Sequence, residues 1–237
     1  MTRRRWIADG TAGNRASLLG DNARHLAKVL RAKVGQEFEV SAEGRVRLGR
    51  VVLLGEDRVE FELGGEVPVL QAPPVVLLLA VFKFDRMEWA IEKATELGVE
   101  RILPVIARRT EKHLGTAAEK RVERWRKIAA ESAQQARRTN PPAIEAPAKL
   151  KDIFGFQAPC RIVLAESERG LLLRDALQTA GAPIALAVGP EGGWTDLELA
   201  EFTEAGWTAA SLGPTILRAE TAVVAALAIT MAMMGSG

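Results

Sequence analysis

The chain of 237 residues contains one cysteine, Cys160, and two histidines, His25 and His113. A single cysteine excludes an internal disulfide and a zinc site of the CxxC kind. It points to a reducing compartment and to a buried, inert thiol. Two histidines are too few for most metal-dependent chemistry, so no metal is expected. No segment reaches the roughly 18 consecutive apolar residues of a membrane span. The basic start, Met1-Thr2-Arg3-Arg4-Arg5-Trp6, opens like a signal peptide, but Asp9, Gly10, Asn14 and Arg15 interrupt the apolar stretch that would have to follow. A cytoplasmic location is expected. Charge of one sign is barely in excess: 32 Lys and Arg against 30 Asp and Glu give a net charge of +2. That excludes a strongly basic nucleic-acid coat and leaves a local basic face open.

What is present is globular. Hydrophobic residues at 48% and charged residues at 26% are far from a disordered composition, and the length allows one large domain or two small ones. Residues 1 to about 70 read as β-rich. Glu37–Val40, Arg45–Leu48 and Val59–Leu63 alternate polar and apolar residues, and glycines punctuate them at intervals of about ten, the spacing of a small antiparallel barrel or sandwich. One short helix interrupts, with Asp21 as its candidate N-cap and Ala23, Leu26, Ala27, Val29 and Leu30 on its apolar face.

Gln71-Ala72-Pro73-Pro74 is the best linker, because consecutive prolines favour extended backbone and lack the N–H. Two domains are expected, 1–72 and 73–237. The continuous apolar run Val75–Val81 suits a strand buried on both faces. A helix through Met87, Ala90, Ile91, Ala94 and Leu97 follows, then a strand at Arg101–Ile106 and a long helix from about Ala117 to Arg137. Strands are predicted at Arg161–Ala165, Ile184–Val188 and Ala209–Leu212, and helices at Leu171–Ala180, Asp196–Ala205 and Glu220–Met233. Strands alternating with helices indicate an open α/β domain with a mostly parallel sheet.

Two bends carry the candidate chemistry. Gly189-Pro190-Glu191-Gly192-Gly193 joins a buried strand to a helix, and in open α/β sheets ligands bind beyond the carboxyl ends of the strands. It has neither the GxGxxG spacing of a dinucleotide loop nor the GxxxxGK[ST] of a P-loop. The same residues also make a plain strand-to-helix turn capped by Thr195, and by themselves they leave both readings open. The second bend, Ser211-Leu212-Gly213-Pro214-Thr215-Ile216-Leu217-Arg218-Ala219-Glu220-Thr221, again joins strand to helix. Arg218 and Glu220 stand at the mouth of an otherwise apolar helix, where charges need partners or water. An acid at a helix N-terminus is also simply favourable to the dipole.

GPEGG followed about twenty residues on by LGPxILRxET resembles the C-terminal signature of the small-subunit ribosomal RNA (uracil-N3) methyltransferase family, RsmE, of the SPOUT superfamily. Lys83–Glu88 with Lys93–Val99, Gln134–Arg138 with Pro142, and His25–Arg31 with Val34-Gly35 resemble further segments of that family, so the likeness covers nearly the whole chain. Departures are modest: Thr215 where many members carry a basic residue, Gln134 for a common Glu, and Ala219 for a common Thr.

The resemblance implies a SPOUT-type α/β domain with a C-terminal trefoil knot, preceded by a PUA-like β-barrel that helps bind RNA. It implies S-adenosylmethionine as methyl donor, 16S rRNA as substrate, and a homodimer. Carried onto this chain, the donor would be held by Leu164, Ala165, Gly189, Leu212, Gly213, Ile216, Leu217, Arg218 and Thr221. Gly189 is the safest of these, since a side chain there would block the approach of the donor. Catalysis would rest on Arg218, Glu220 and Arg138, with Glu191 a further proton acceptor or a partner for Arg218.

RNA would be met by Arg5, Arg24, Arg31, Lys83, Arg108, Arg109, Gln135 and Arg138, with Arg3 and Arg4 adding to the barrel's share. Residues 101–138 hold eleven basic and four acidic side chains, a local +7, which suits a phosphate-contacting face or a solvated helix with i,i+4 pairs. The alternatives are a SPOUT methyltransferase acting on another RNA, or a non-catalytic RNA-binding assembly factor on the same fold. A nucleotide-dependent oxidoreductase is disfavoured by the missing GxGxxG.

Overall fold

The computed structural model describes residues 5–69 and 73–235. Arg3 and Arg4, and the Gln71-Ala72 half of the linker, lie outside the described residues. The chain divides into two compact units, one drawn from Met1–Gln71 with Ala133–Pro141 and the other from Ala72–Ser132 with Pro142–Gly237.

The first unit is a six-stranded sheet. Its strands are β1 (Trp6–Ile7), β2 (Gly10–Ala12), β3 (Arg15–Leu19), β4 (Glu37–Ala42), β5 (Arg45–Leu54) and β6 (Arg58–Glu66), in the order β1-β4-β5-β6-β3-β2. All pairings are antiparallel except β1 with β4. Two register shifts between β5 and β6 mark bulges, which bend a sheet, and the result is a half-barrel. Alternation along the strands turns Leu18, Val40, Val51, Val59 and Phe61 inward, onto Trp6 and Leu26.

The expected short helix is two elements, α1 (Gly20–Arg24) and a π-helical turn, His25–Val29. Leu19, not Asp21, holds the N-cap position; Asp21 lies in the first turn and pairs with Arg24 at 2.6 Å. The π turn changes the angular spacing of side chains. Ala23 and Leu26 are buried while Val29 and Leu30 reach solvent.

The segment Ala133–Pro141 is bound to this unit by polar contacts. The Arg5 guanidinium donates to Glu39 Oε2 at 2.9 and 3.1 Å and to the carbonyl of Arg137. Arg137 pairs with the other oxygen of Glu39, Ser41 donates to the Thr139 carbonyl, and Gln134 donates to Asn22 at 3.3 Å.

The second unit is a parallel sheet. Its strands are β7 (Val75–Ala80), β8 (Arg101–Ile106), β9 (Ala143–Ile144), β10 (Ala148–Lys149), β11 (Cys160–Leu164), β12 (Ile184–Val188) and β13 (Thr208–Ala210). Six run in the order β10-β8-β7-β12-β11-β13, and β9 pairs with β8. Every pairing is parallel. Val75, Leu77 and Leu79 enter a core on one face, and Val76, Leu78 and Ala80 enter the other.

The first face is covered by α2 (Phe84–Glu96), α4 (Val122–Gln135, through Trp125 and Ala129) and α8 (Ala219–Met234). On the second face Phe202 of α7 (Asp196–Glu204) forms edge-on ring contacts with Trp194, Trp207 and Phe154.

Two helices differ from expectation. The long helix is broken into α3 (Lys112–Ala117), a 3₁₀ turn (Ala118–Arg121) and α4. The helix expected at Leu171–Ala180 shrinks to the single turn α6 (Leu173–Ala176), because Leu171 O and Leu173 N–H are hydrogen-bonded to Ser211. Beyond β10 lies one further turn, α5 (Leu150–Ile153). Among the described residues no helix is long and apolar enough to cross a membrane.

Candidate functional site

Because β11, β12 and β13 are parallel neighbours, their carboxyl ends open on one side, and the three following loops meet there. They enclose a cleft of about 200 Å³, many times the roughly 10–15 Å³ that holds one water. Its walls include Leu164 at the end of β11 and Ala165 after it, Gly189 to Glu191 with Gly193 and Trp194 after β12, and Ser211 to Leu217 after β13. Seven of the nine residues expected at the donor line this cleft: Leu164, Ala165, Gly189, Leu212, Gly213, Ile216 and Leu217. Arg218 and Thr221 do not; both are exposed at the start of α8.

The glycine bend is held from three sides. Gly193 N–H closes a turn on the Pro190 carbonyl at 2.8 Å. Thr195 caps α7 in a full capping box: its hydroxyl receives Glu198 N–H, and its own N–H goes to Glu198 Oε2 at 2.7 Å. So the bend is both a cleft wall and a capped strand-to-helix turn. Glu198 is completely buried, and its second oxygen takes Arg108 N–H at 2.7 Å. Arg109 then reaches the carbonyls of Gly192 at 2.6 Å and Trp194 at 3.2 Å.

Gly189 is required here for a local reason. A Cβ would stand 3.2 Å from Trp194 Nε1 and 3.3 Å from Cε2, so the immediate obstacle is the indole. Gly213 takes a φ of +124°, which L side chains avoid, with open space where a Cβ would be.

Arg218 is the N-cap residue of α8, makes no side-chain cap, and has no ion-pair partner among the described residues. Its cation sits at the positive end of a helix, an arrangement disfavoured by roughly 0.3–1 kcal/mol. Glu220, in the first turn, faces another cation: Arg86 Nε is 3.9 Å from Glu220 Oε1, and Arg86 Nη1 donates to Glu191 at 2.8 Å. Thus neither Glu220 nor Glu191 holds Arg218. Arg86, in the first turn of α2, is the residue that sequence reasoning missed; the KFDRME segment was the available signal.

The residues expected at RNA differ in availability. Arg5 is buried, with its donors turned to Glu39 and Arg137; a guanidinium so placed ties the chain together and has no free fork for phosphate. Arg24 is exposed but paired with Asp21 and Asp57. Arg108 pairs with Glu201 at 3.2 Å, and Arg109 braces the bend while lining the cleft.

Arg31, Lys83 and Gln135 are exposed, and Arg138 is half-buried. Gln135 and Arg138 belong to the first unit, and Arg218 to the second. Within the +7 stretch, Arg124 makes a two-pronged contact with Glu88 at 2.7 and 2.8 Å. Arg121 lies over the Phe84 ring, and Arg126 donates to the Ile144 carbonyl at 2.9 Å. Much of that charge is spent on the fold.

The cleft suits a molecule carrying charges of both signs. Glu166, Glu191 and Asp196 line it together with Arg109 and Arg169, and Trp194 Nε1 beside Gly189 is buried with no hydrogen-bond partner. Apolar Leu164, Leu212 and Leu217 could flank an aromatic base. This is a donor set that fits S-adenosylmethionine, a sulfonium with an amino-acid tail and an adenine. Among the described residues no cluster of three metal-ligating side chains forms.

Comparison with known proteins agrees with this geometry. Residues 70–231 match the family model of an RNA methyltransferase domain, and residues 18–64 match that of an RNA methyltransferase PUA domain. The protein class is therefore a two-part RNA methyltransferase. A protein of Mycobacterium bovis named ribosomal RNA small subunit methyltransferase E is 33% identical over 218 residues, 88% of this chain and 82% of its own.

A crystal structure of a ribosomal RNA small subunit methyltransferase E from Neisseria gonorrhoeae, bound to S-adenosylmethionine, is 30% identical with a TM-score of 0.84, covering 95% of each chain. A methyltransferase of Legionella pneumophila, also with the cofactor bound, is 25% identical with a TM-score of 0.86 over 98% of each chain. The chain belongs to the ribosomal RNA small subunit methyltransferase E family.

Proposed function

We propose that the chain transfers a methyl group from S-adenosylmethionine to N3 of a uridine in 16S rRNA, in the cytoplasm and as a homodimer. The observation that carries the reading is the cleft at the ends of β11, β12 and β13. It is built from the two bends of the family signature, and relatives over nearly the full chain bear the cofactor in their structures. A trefoil knot in the second unit is part of the proposal; the placing of β12 between β7 and β11, with β13 on the far side, supports it.

The bound donor supplies an electrophilic methyl on a positively charged sulfur. The protein's task is to align that methyl with N3 and to favour loss of the N3 proton. Alignment alone can supply several kcal/mol of the barrier. As the proton leaves, negative charge spreads over O2 and O4 of the ring. Arg218 suits that charge: its guanidinium is permanent, planar and unpaired, and the α8 N-terminus adds its dipole in the same sense.

Glu191, which lines the cleft, and Glu220, in the first turn of α8, are the acids assigned to accept the proton, and both face Arg86. Exposed Arg31, Lys83 and Gln135, with Arg138, are the residues for phosphate and base contact.

Titration calorimetry of the purified chain with S-adenosylmethionine tests the reading. One site per chain, lost in Gly213→Val, supports it. Absence of binding defeats it and favours an assembly factor that binds RNA without catalysis.

A further inference from the structure

The glycine bend and the start of α8 are separate walls of the cleft, and each carries a carboxylate, Glu191 and Glu220. Left alone, these like charges would repel. Glu220 Oε2 is also shut off from solvent with no hydrogen-bond partner, which is costly for a charged group. Arg86 enters between them from the first turn of α2, only a few residues beyond β7. It donates to Glu191 Oε1 at 2.8 Å through Nη1 and faces Glu220 Oε1 at 3.9 Å through Nε. Its side chain is one-third exposed, Glu191 similarly, and Glu220 far less. The planar fork of an arginine can serve two acceptors on different elements at once; an ammonium is a point charge.

We infer that Arg86 is a positioning residue that fastens the glycine bend to the N-terminus of α8, and so sets where Arg218 stands relative to the donor cleft. The inference rests on reading the cleft as the donor site. Arg86 touches neither donor nor uracil in this role. It acts through Glu191, which lines the cleft, and through Glu220, two residues beyond Arg218. Arg109 grips the bend from the other side, through carbonyls of Gly192 and Trp194, and that contact does not reach α8.

The test is a mutant cycle on the full chain, read by donor calorimetry and by single-turnover methyl transfer at saturating donor. Arg86→Gln weakens donor binding about tenfold, the worth of one hydrogen bond to a charged group, and slows transfer, both read well below the variant's melting temperature. Arg86→Lys recovers part of the loss. Arg86→Gln added to Glu191→Gln costs much less than it does alone, because the two act as one contact.

Wild-type affinity and transfer rate in Arg86→Gln, or losses that simply add in the double variant, overturn the inference. Should Arg86→Gln fail to fold, Glu191→Gln against Glu191→Gln with Arg86→Lys reads the same coupling. A wild-type chain that takes up no donor overturns the cleft reading and this inference with it. That outcome is distinct from a variant that matches a wild type which binds.

Discussion

Arg218 and Glu220 stand two residues apart at the start of α8, and they do not pair: Glu220 faces Arg86 on α2, while Arg218 extends into solvent with no ion-pair partner among the described residues. A cation left unneutralised at a helix N-terminus opposes the dipole, so the fold gains nothing from it. Arg218→Ala is therefore expected to leave the melting temperature unchanged or to raise it slightly, by up to about 1 kcal/mol of stability. Removal of a charge-stabilising donor should meanwhile slow methyl transfer about 10²–10³-fold. Thermal melts and single-turnover assays on the same preparation check both signs.

Gly189→Ala places a methyl 3.2 Å from the Trp194 indole nitrogen. Overpacking of this kind costs about 1–3 kcal/mol, and the shift must be taken up by the bend. Melting and donor calorimetry should show reduced stability and weaker donor uptake together. A stable variant with unchanged affinity would mean that the bend gives way elsewhere.

Thr195→Ala removes the hydroxyl that receives Glu198 N–H at 3.2 Å and contacts Glu198 Oε2 at 2.8 Å. Loss of a capping residue costs about 1 kcal/mol, which for a chain of this size lowers the melting temperature by about 2–4 °C. The effect on donor binding should be smaller than that of Gly189→Ala, because Arg109 still holds the bend.

Glu39 gives the first unit an acid-sensitive point. Burial pushes its carboxyl up, but hydrogen bonds and charge from Arg137 and Arg5 outweigh this and hold it below the ordinary carboxylate range. The stabilisation is complete above the unfolded value, near pH 4.3. It disappears as the pH falls through the lower folded value. Glu39→Ala also leaves the buried Arg5 guanidinium without its partner, at a cost of about 3 kcal/mol. Denaturant titrations between pH 7 and pH 3 should show a steeper acid loss in the wild type than in the variant.

Binding to 16S rRNA should weaken steeply with added salt, because neutralising phosphates releases counterions. Charge removal at exposed Arg31 or Lys83 should reduce the slope of log affinity against log salt by about 1 each. Arg5→Gln should act through stability, since Arg5 is buried against Glu39.

Much of this was legible in the sequence, where the signal was local. The strand Ile184–Val188 and the helix after Thr195 follow from an unbroken apolar run and a capping residue, and the structure has both. The donor residues were marked by the family resemblance and not by the residue pattern; seven of the nine line the cleft at the strand carboxyl ends.

What the sequence hid was tertiary. Arg86 and Glu191 are 105 positions apart, and Arg5 and Arg137 are 132 apart, so neither contact leaves a local pattern. The π turn at His25–Val29 and the break at Ala118–Arg121 also escaped, because a constant helical pitch puts Val29 and Leu30 on the apolar face, whereas the π turn leaves them in solvent.

The most direct test of the account is to incubate the chain and labelled S-adenosylmethionine with small ribosomal subunits lacking the modification, digest the 16S rRNA and identify the labelled nucleoside by mass spectrometry. The account predicts label on a single uridine, as N3-methyluridine, entering about 10²–10³-fold more slowly with Arg218→Ala. Label on carbon, ribose or another base, or no label from a chain that binds the donor, would contradict it.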